Sequence, residues 1–310
     1  MALRPSVWRL TWNTNQSLSR KLTWNRSREV TWKPTLRTIT TMAASTPRTP
    51  APWRNTFLSH VYAMPQPSFT LSTIHRSPSG TITPRARTCI FRGLWASLPK
   101  DDRNTAPRNP HVYESDLPVL TTDVRMEKAG ELGLAKSEGS GGGGPVEAVW
   151  WVEKLGTQWR MRGTAWILGP DADGDSEGAK AAREALRARM WACGEAEEGW
   201  SWAREVTGNF GNLSPGMRGT FRNPPPGQPR ELPVEGEGLG LGQTVWQLED
   251  PVARKNFRVV VIVPDEIEQV DLSDMQAPKR WLYVYRGASY KSTLPGGEVT
   301  GEWEKVELWP

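Results

Sequence analysis

Alternating hydrophobic and polar positions recur along the chain and predict a protein built mainly from β-strands. The clearest case is a hairpin, in which residues 147–152 and 159–167 alternate on either side of a turn at 154–157. Further strands are predicted at 68–74, 85–93, 119–125, 257–263, 279–285 and 302–309. Strands do not alternate regularly with helices, so a barrel or sandwich is favoured over a doubly wound parallel sheet.

Helical periodicity is confined to short segments. Trp53, Phe57 and Val61 follow Pro52 at four-residue spacing, which predicts a helix beginning there. Further helices are predicted at 126–132, at 178–192, and at 201–210 with Ser201 as a possible N-cap. The polar segments 99–118 and 227–243 are predicted to be surface loops, and the Ser/Gly-rich residues 137–145 a flexible linker.

Positive charge is concentrated at the N-terminal end. Residues 1–50 contain nine lysines and arginines against one acidic residue, a net charge of +8, whereas the remainder has 30 basic and 33 acidic residues, a net charge of −3. The basic isoelectric point therefore belongs to the tail, and a nucleic-acid surface on the main domain loses its support. We expect residues 1–48 to be a disordered basic tail or presequence and residues 49–310 to form one domain.

The tail leaves three interpretations open. Its Arg-rich, Ser-rich and acid-poor composition is typical of mitochondrial transit peptides. Equally, the true chain could start at Met42, and a basic arm for nucleic acid is the third alternative. We expect a cytoplasmic protein, or a mitochondrial one if the tail is a genuine transit peptide. No run approaches the roughly 18 apolar residues of a membrane span, and two cysteines provide no disulfide framework.

Cationic and hydrogen-bonding side chains recur on the predicted strands and beside them. Arginine gives bidentate and lysine point-charge contacts to phosphate oxygens, so such a set suits a phosphorylated ligand if its members converge. Spacing alone leaves the alternative that each is a solvated charge at a strand edge. The residues are Arg87, Arg92, Thr121, Thr122, Lys128, Gln158 and Arg280.

Five short motifs follow one another between residues 87 and 310. They are RTCIFR at 87–92, TTD at 121–123 with Lys128 six residues after Thr122, QWRMRG at 158–163, Arg280, and the terminal WEKVELWP at 303–310. In this order they resemble the motifs of the pyridoxamine 5'-phosphate oxidase family. The resemblance is to a divergent branch of that family that is defined only by FMN binding.

The resemblance implies an FMN-binding split β-barrel with flanking helices and a homodimer that holds FMN in a cleft between its subunits. A cation near the flavin ring also stabilises the negative charge of the reduced form. The resemblance implies that Arg87 and Lys128 bind the FMN phosphate, and that Thr121 and Thr122 contact the ribityl chain and the ring. It implies that Gln158 contacts the isoalloxazine and Arg280 its pyrimidine edge. Arg92 is implied to contact cofactor or substrate, and Ser214 to contact substrate.

Substrate-binding positions depart from the family pattern. The family's R-L-H triplet before the flavin arginine is Gln-Ala-Pro at 276–278, and Val270 replaces its tryptophan. We therefore expect an FMN-binding oxidoreductase that acts on an unidentified small-molecule substrate. The alternatives are a true pyridoxamine/pyridoxine phosphate oxidase and a non-catalytic FMN carrier or sensor. No metal site is predicted, because His60, His75 and His111 lack ligand spacing.

Overall fold

The computed structural model describes residues 48–134, 139–194, 199–288, 290–292 and 294–310. The predicted basic tail, apart from Arg48, lies outside these residues, as does the start of the predicted linker. Residues Ser45–Pro310 cluster as one compact unit. In the described part of the chain, no helix is both long and apolar enough to cross a membrane.

Strands account for most of the regular structure, as the alternating pattern predicts. The described residues form β1 (Ser68–Arg76), β2 (Ile82–Ile90), β3 (Tyr113–Ser115), β4 (Val119–Asp123), β5 (Gly141–Val152), β6 (Thr157–Leu168), β7 (Met190–Ala192), β8 (Phe257–Asp271), β9 (Lys279–Tyr285), β10 (Glu298–Thr300) and β11 (Trp303–Leu308).

Six short helices flank the strands in the described residues. Ser201 accepts a hydrogen bond from the backbone of Arg204, so it is the N-cap that the sequence predicts. The helices are α1 (Arg54–Tyr62), α2 (Glu127–Glu131), α3 (Glu177–Arg187), α4 (Trp202–Gly211), α5 (Pro215–Gly219) and α6 (Pro251–Asn256).

The main sheet is antiparallel, in the order β10-β11-β9-β8-β6-β5-β1-β2, with β4 paired to β8 outside this path. The mainly β fold is thus confirmed. No ladder joins β2 to β4 in the described residues, so the sheet is not a closed barrel there. Beyond the end of β2, however, Arg92 N donates to Val119 O at 2.8 Å and Val119 N donates to Gly93 O at 2.9 Å. The edge of the sheet therefore curls back towards β4.

Strand β8 separates two hydrophobic cores. Its first eight residues are all buried, because both faces of the strand are covered. Val260 and Ile262 lie in the inner core, with α1 and the inward faces of β1, β5 and β6. Val259 and Val261 lie in the second core, with α3 and α4. A continuous apolar run, rather than alternation, is what a strand covered on both faces requires.

The predicted linker is partly wrong. Residues 141–145 begin β5 and pair with β6, with a register shift between Gly142 and Gly144. A Cβ on Gly144 would lie 2.7 Å from the carbonyl carbon of Leu132. Glycine is therefore used here for a close backbone approach rather than for flexibility.

Other boundaries also differ. The helix predicted at 178–192 ends at Arg187, and Met190–Ala192 instead form β7, which pairs with β3 inside a predicted loop. Strand β2 lies about three residues earlier than expected, and β8 continues beyond the predicted end at 263 to Asp271. The sequence pattern does not predict α6 or β10. Helical spacing cannot reveal that a three-residue segment is held by a partner strand distant in the sequence.

Candidate functional site

Arg87 lies on the inner face of β2, against the carboxylate of Glu131. Its cross-strand partner Leu71 is fully buried in the inner core, and directly opposite side chains share a face. Arg87 Nη2 lies 2.6 Å from Glu131 Oε2, and Nη1 donates to Thr73 Oγ1 at 2.5 Å. The Arg87 side chain is still 23% exposed, so its guanidinium is held in place by two partners and also reaches solvent.

Lys128 in α2 supplies a second cation. Its Nζ donates to Thr122 Oγ1 at 2.9 Å and contacts Met126 Sδ at 2.7 Å. No carboxylate of the described residues forms a salt bridge with this ammonium. Burial lowers the pKa of Lys128, and the charge of Arg87 adds a smaller effect in the same direction. Lys128 is therefore the less compensated of the two cations.

The surroundings of the two cations carry a net positive charge. Glu131 is buried, which opposes its ionisation, but hydrogen bonds from Thr73 and Arg87 outweigh burial and lower its pKa. Cys89, two residues after Arg87 on the same strand face, also lies within the influence of both cations. Burial raises the pKa of the Cys89 thiol, although Lys128 and Arg87 oppose that shift. Glu131 thus offsets part of the charge of Arg87, and Asp123, itself paired with Arg125, also acts on Lys128.

Thr121 and Arg92 lie apart from this cluster. Thr121 is opposite Val259, which belongs to the second core, so it faces away from Thr122. Arg92 follows Phe91, whose side chain lies in the inner core. The Arg92 Nε is buried without a hydrogen-bond partner, and burial lowers the pKa of this guanidinium.

Gln158 and Arg280 lie in one row on the outer face of the sheet. Gln158 sits opposite Val270 across the β6–β8 ladder, and Val270 sits opposite Arg280 across the β8–β9 ladder. Trp159, next to Gln158, points into the inner core, so Gln158 points the other way. Within one chain, the sheet therefore separates this row from Arg87 and Lys128.

Arg280 is held by a buried carboxylate on this outer face. Its Nη2 lies 2.6 Å from Glu268 Oε2, and Arg160 Nη1 lies 3.0 Å from Glu268 Oε1. The Glu268 side chain is only 5% exposed. The Nε of Arg280 is buried without a hydrogen-bond partner, so part of its donor capacity is unused.

Ser214 has a structural contact of its own. Its hydroxyl accepts from the backbone of Met217 and caps the N-terminus of α5. A substrate role for Ser214 therefore requires the same hydroxyl to serve two purposes.

Glu131 and Thr73 are not predicted from the sequence. Both touch Arg87, but nothing in their spacing sets them apart from other polar residues on a short helix and a strand. Their positions depend on how α2 packs against β1, which the sequence pattern does not encode.

The residues present fit a phosphorylated cofactor. Arg87 and Lys128 can both donate to a phosphate, because Glu131 offsets only part of the Arg87 charge and Lys128 has no salt-bridge partner in the described residues. The unused Nε donors of Arg92 and Arg280 add further capacity for an anionic or hydrogen-bonding ligand. A separate cavity of about 690 Å³, between α2, α6 and the segment 225–239, contains neither Arg87 nor Lys128 in its lining.

Comparison with protein families finds a match for the segment that contains Arg87 and Lys128. Residues 50–169 match the family model described as pyridoxamine 5'-phosphate oxidase, FMN-binding domain. These residues are therefore similar to the FMN-binding domain of that family. The match includes Arg87, Arg92, Thr121, Thr122, Lys128 and Gln158, whereas Ser214 and Arg280 lie beyond it.

One solved structure supports this fold. A pyridoxamine 5'-phosphate oxidase-related, FMN binding protein from Nostoc punctiforme is similar over 84% of this chain and all of its own, with 19% identity and a TM-score of 0.52. PhzG from Burkholderia lata, in complex with tetrahydrophenazine-1-carboxylic acid, is similar over 85% of this chain and 99% of its own, with 13% identity and a TM-score of 0.35. A search of curated proteins found no match.

Proposed function

We propose that this protein is an FMN-dependent oxidoreductase that takes a hydride from a small-molecule substrate and works as a homodimer. The observation that carries the proposal is the cluster of Arg87, Lys128 and Thr122 on the inner face of the sheet, inside the segment that matches an FMN-binding domain.

The phosphate end is assigned to Arg87 and Lys128. Arg87 can present a bidentate fork whose orientation Glu131 and Thr73 already fix. Lys128 adds a point charge without a carboxylate partner in the described residues. Charge-assisted hydrogen bonds of this kind contribute roughly 1.5–3 kcal/mol each. Thr122 is assigned to the neighbouring part of the cofactor, whereas the side chain of Thr121 faces the second core and has no part in this assignment.

The ring end of the cofactor is assigned to Gln158 and Arg280. This assignment implies that two copies of the chain form one site. Both lie on the outer face, whereas the phosphate cluster lies on the inner face. A second copy that brings its own outer face towards the phosphate cluster provides both ends of one site. Arg92, with an unused buried donor, is a further candidate for contact with cofactor or substrate.

The chemistry divides between cofactor and protein. FMN, when bound, accepts and returns the electrons of the reaction. The chain's own residues hold the phosphate, orient the ring and place the Arg280 cation where negative charge develops, which favours reduction. Oxygen or another acceptor then completes the cycle. Glu268 keeps Arg280 in position through its 2.6 Å contact.

The test begins with the visible spectrum of the purified full chain after incubation with FMN and removal of free ligand. The bound flavin is then mixed anaerobically with pyridoxamine 5'-phosphate, pyridoxine 5'-phosphate and NADPH, one at a time. We expect at least one of these donors to bleach bound flavin faster than free FMN, and oxygen to restore it. Bound flavin that no donor bleaches faster than free FMN contradicts an oxidoreductase and supports a carrier or sensor.

Domain limits and location are part of the proposal. We infer that residues 49–310 make up the FMN-binding unit and that residues 1–48 are not needed to bind FMN, although Arg48 lies 3.1 Å from Glu302 and donates to Met190 O at 3.2 Å. A chain starting at Met42 should then keep the melting temperature and FMN affinity of the full chain, and a fall of several degrees contradicts this. We also propose a cytoplasmic location, or a mitochondrial one if fusion of residues 1–48 carries a fluorescent protein into mitochondria.

A further inference from the structure

Three potential metal ligands from two distant parts of the sequence, residues 111–114 and Cys193, meet beside the β3–β7 ladder. The His111 Nε2 lies 3.2 Å from Glu114 Oε1 and 3.9 Å from Cys193 Sγ. All three donor atoms lie within 4.8 Å of one another. This cluster is separate from the proposed FMN site, and its residues have no part in the proposed function.

The backbone fixes the three positions. Glu114 pairs with Trp191 across the ladder, and the ladder continues one step further because Cys193 N donates to Val112 O at 3.0 Å. A Cβ on Gly194 would lie 3.1 Å from His111 O, so the chain after Cys193 passes close to the histidine. His111 and Cys193 are thus held together, although 82 residues separate them in the sequence.

The geometry resembles that of a tetrahedral metal site. Zinc binds nitrogen and oxygen at about 2.0 Å and sulfur at about 2.3 Å, so tetrahedral angles place N and O about 3.3 Å apart and N and S about 3.5 Å apart. The observed N–O separation is 3.2 Å, and the observed N–S separation of 3.9 Å needs only a small rotation of an exposed thiol.

Arg54 orients one ligand from outside. Its Nη1 lies 3.2 Å from Glu114 Oε2, which leaves Oε1 directed at His111. Arg54 also lies over the ring of Trp191, 5.5 Å from the centroid. A partner that holds the second oxygen of a ligating carboxylate is a usual feature of metal sites.

We propose that His111, Glu114 and Cys193 bind one zinc ion. The set combines an imidazole nitrogen, a carboxylate oxygen and a thiolate sulfur, which suits a borderline-soft divalent ion better than magnesium or calcium. On binding, Cys193 gives up its thiol proton to solvent and the ion fills the space between the three donors. The cluster is open to solvent, since the His111 side chain is 69% exposed, so a water molecule can be the fourth ligand.

The test uses the full chain, stripped of metal with a chelator and kept reduced. Zinc is titrated in competition with a chromophoric chelator, and cobalt(II) is added separately as a spectroscopic probe. We expect one zinc per chain, release of about one proton, and a thiolate-to-cobalt charge-transfer absorption. Absence of zinc binding in the parent chain, or absence of the charge-transfer absorption, overturns the proposal.

Single substitutions separate the site from adventitious binding. Cys193→Ser, His111→Asn and Glu114→Gln should each lower zinc affinity at least tenfold, and Cys193→Ser should abolish the charge-transfer absorption. Cys89→Ser is the matched control, because Cys89 is the other cysteine and lies elsewhere; it should leave zinc binding unchanged. Metal-free melting curves verify that each variant is folded. Zinc affinity that survives Cys193→Ser overturns the assignment.

Discussion

Arg87 Nη2 and Glu131 Oε2 lie 2.6 Å apart, and the carboxylate is 4% exposed. The same Oε2 accepts from the Thr73 hydroxyl at 2.6 Å, while Oε1 lies 3.2 Å from His75 Nδ1. The carboxylate therefore orients Arg87 and also offsets part of its charge. This dual effect determines what the proposed phosphate site should do when either partner is changed.

The first prediction concerns the guanidinium of Arg87. Arg87→Ala should weaken FMN binding on the order of 10-fold to 100-fold, since a charge-assisted contact is worth roughly 1.5–3 kcal/mol. Arg87→Lys should lose less, because it keeps the charge and gives up only the bidentate fork. Fluorescence titration with FMN measures both. Equal losses for alanine and lysine would show that charge at this position is irrelevant.

The second prediction concerns pH. Burial lowers the pKa of Lys128, and only the charged ammonium attracts phosphate, so FMN affinity should fall as pH rises towards the ordinary pKa of lysine. Lys128→Arg keeps its charge throughout and should remove this dependence. FMN affinity is measured from neutral pH to about pH 10, near the reference lysine pKa. Identical pH curves for the parent and Lys128→Arg contradict the assignment.

The third prediction concerns Glu131. Glu131→Gln removes a negative charge beside the proposed phosphate while the amide keeps an oxygen for Thr73. FMN affinity should rise, by roughly 1 kcal/mol or about fivefold, because a like-charge repulsion is lost. The melting temperature without FMN should fall, since Arg87 loses its ion-pair partner. Weaker FMN binding in this variant would mean that orientation of Arg87 outweighs repulsion.

The fourth prediction tests the shared site. Arg87→Ala and Arg280→Ala chains carrying different tags are co-expressed, and heterodimers are purified. If each site takes Arg87 from one chain and Arg280 from the other, one of the two sites in a heterodimer has both arginines and should bind FMN with parental affinity. Neither homodimeric variant has a site with both arginines. If the heterodimer has no site of parental affinity, both arginines of a site come from the same chain, which contradicts the shared site.

The sequence predicts most long elements because their patterns are local. The bounds of β9 are those expected, and the β5–β6 hairpin forms around its predicted turn. The start of β5 is different, because composition predicts a flexible linker around Gly144 whereas its role depends on the approach of Leu132. The short strands β3 and β7 exist only as partners of one another, and no local period can reveal such a pair.

The candidate site divides in a similar way. Residue types and order indicated a phosphate-binding set, and the structure does bring Lys128 and Thr122 into contact. The sequence could not show that Glu131 neutralises part of the Arg87 charge, because that contact depends on packing of α2 against β1. Nor does the sequence indicate that Gln158 and Arg280 share a row on the opposite face. The face of the sheet on which a side chain lies depends on the register of the strands, and that register is set by pairing between strands distant in the sequence.

The most direct test of the FMN site is a titration of the full chain with FMN and, separately, with riboflavin, which lacks the phosphate. The parent should bind one FMN per chain and bind riboflavin far more weakly. The double variant Arg87→Ala/Lys128→Met should bind FMN no better than riboflavin, while its affinity for riboflavin stays that of the parent. A double variant that still prefers FMN as strongly as the parent would contradict the assignment of the phosphate to Arg87 and Lys128.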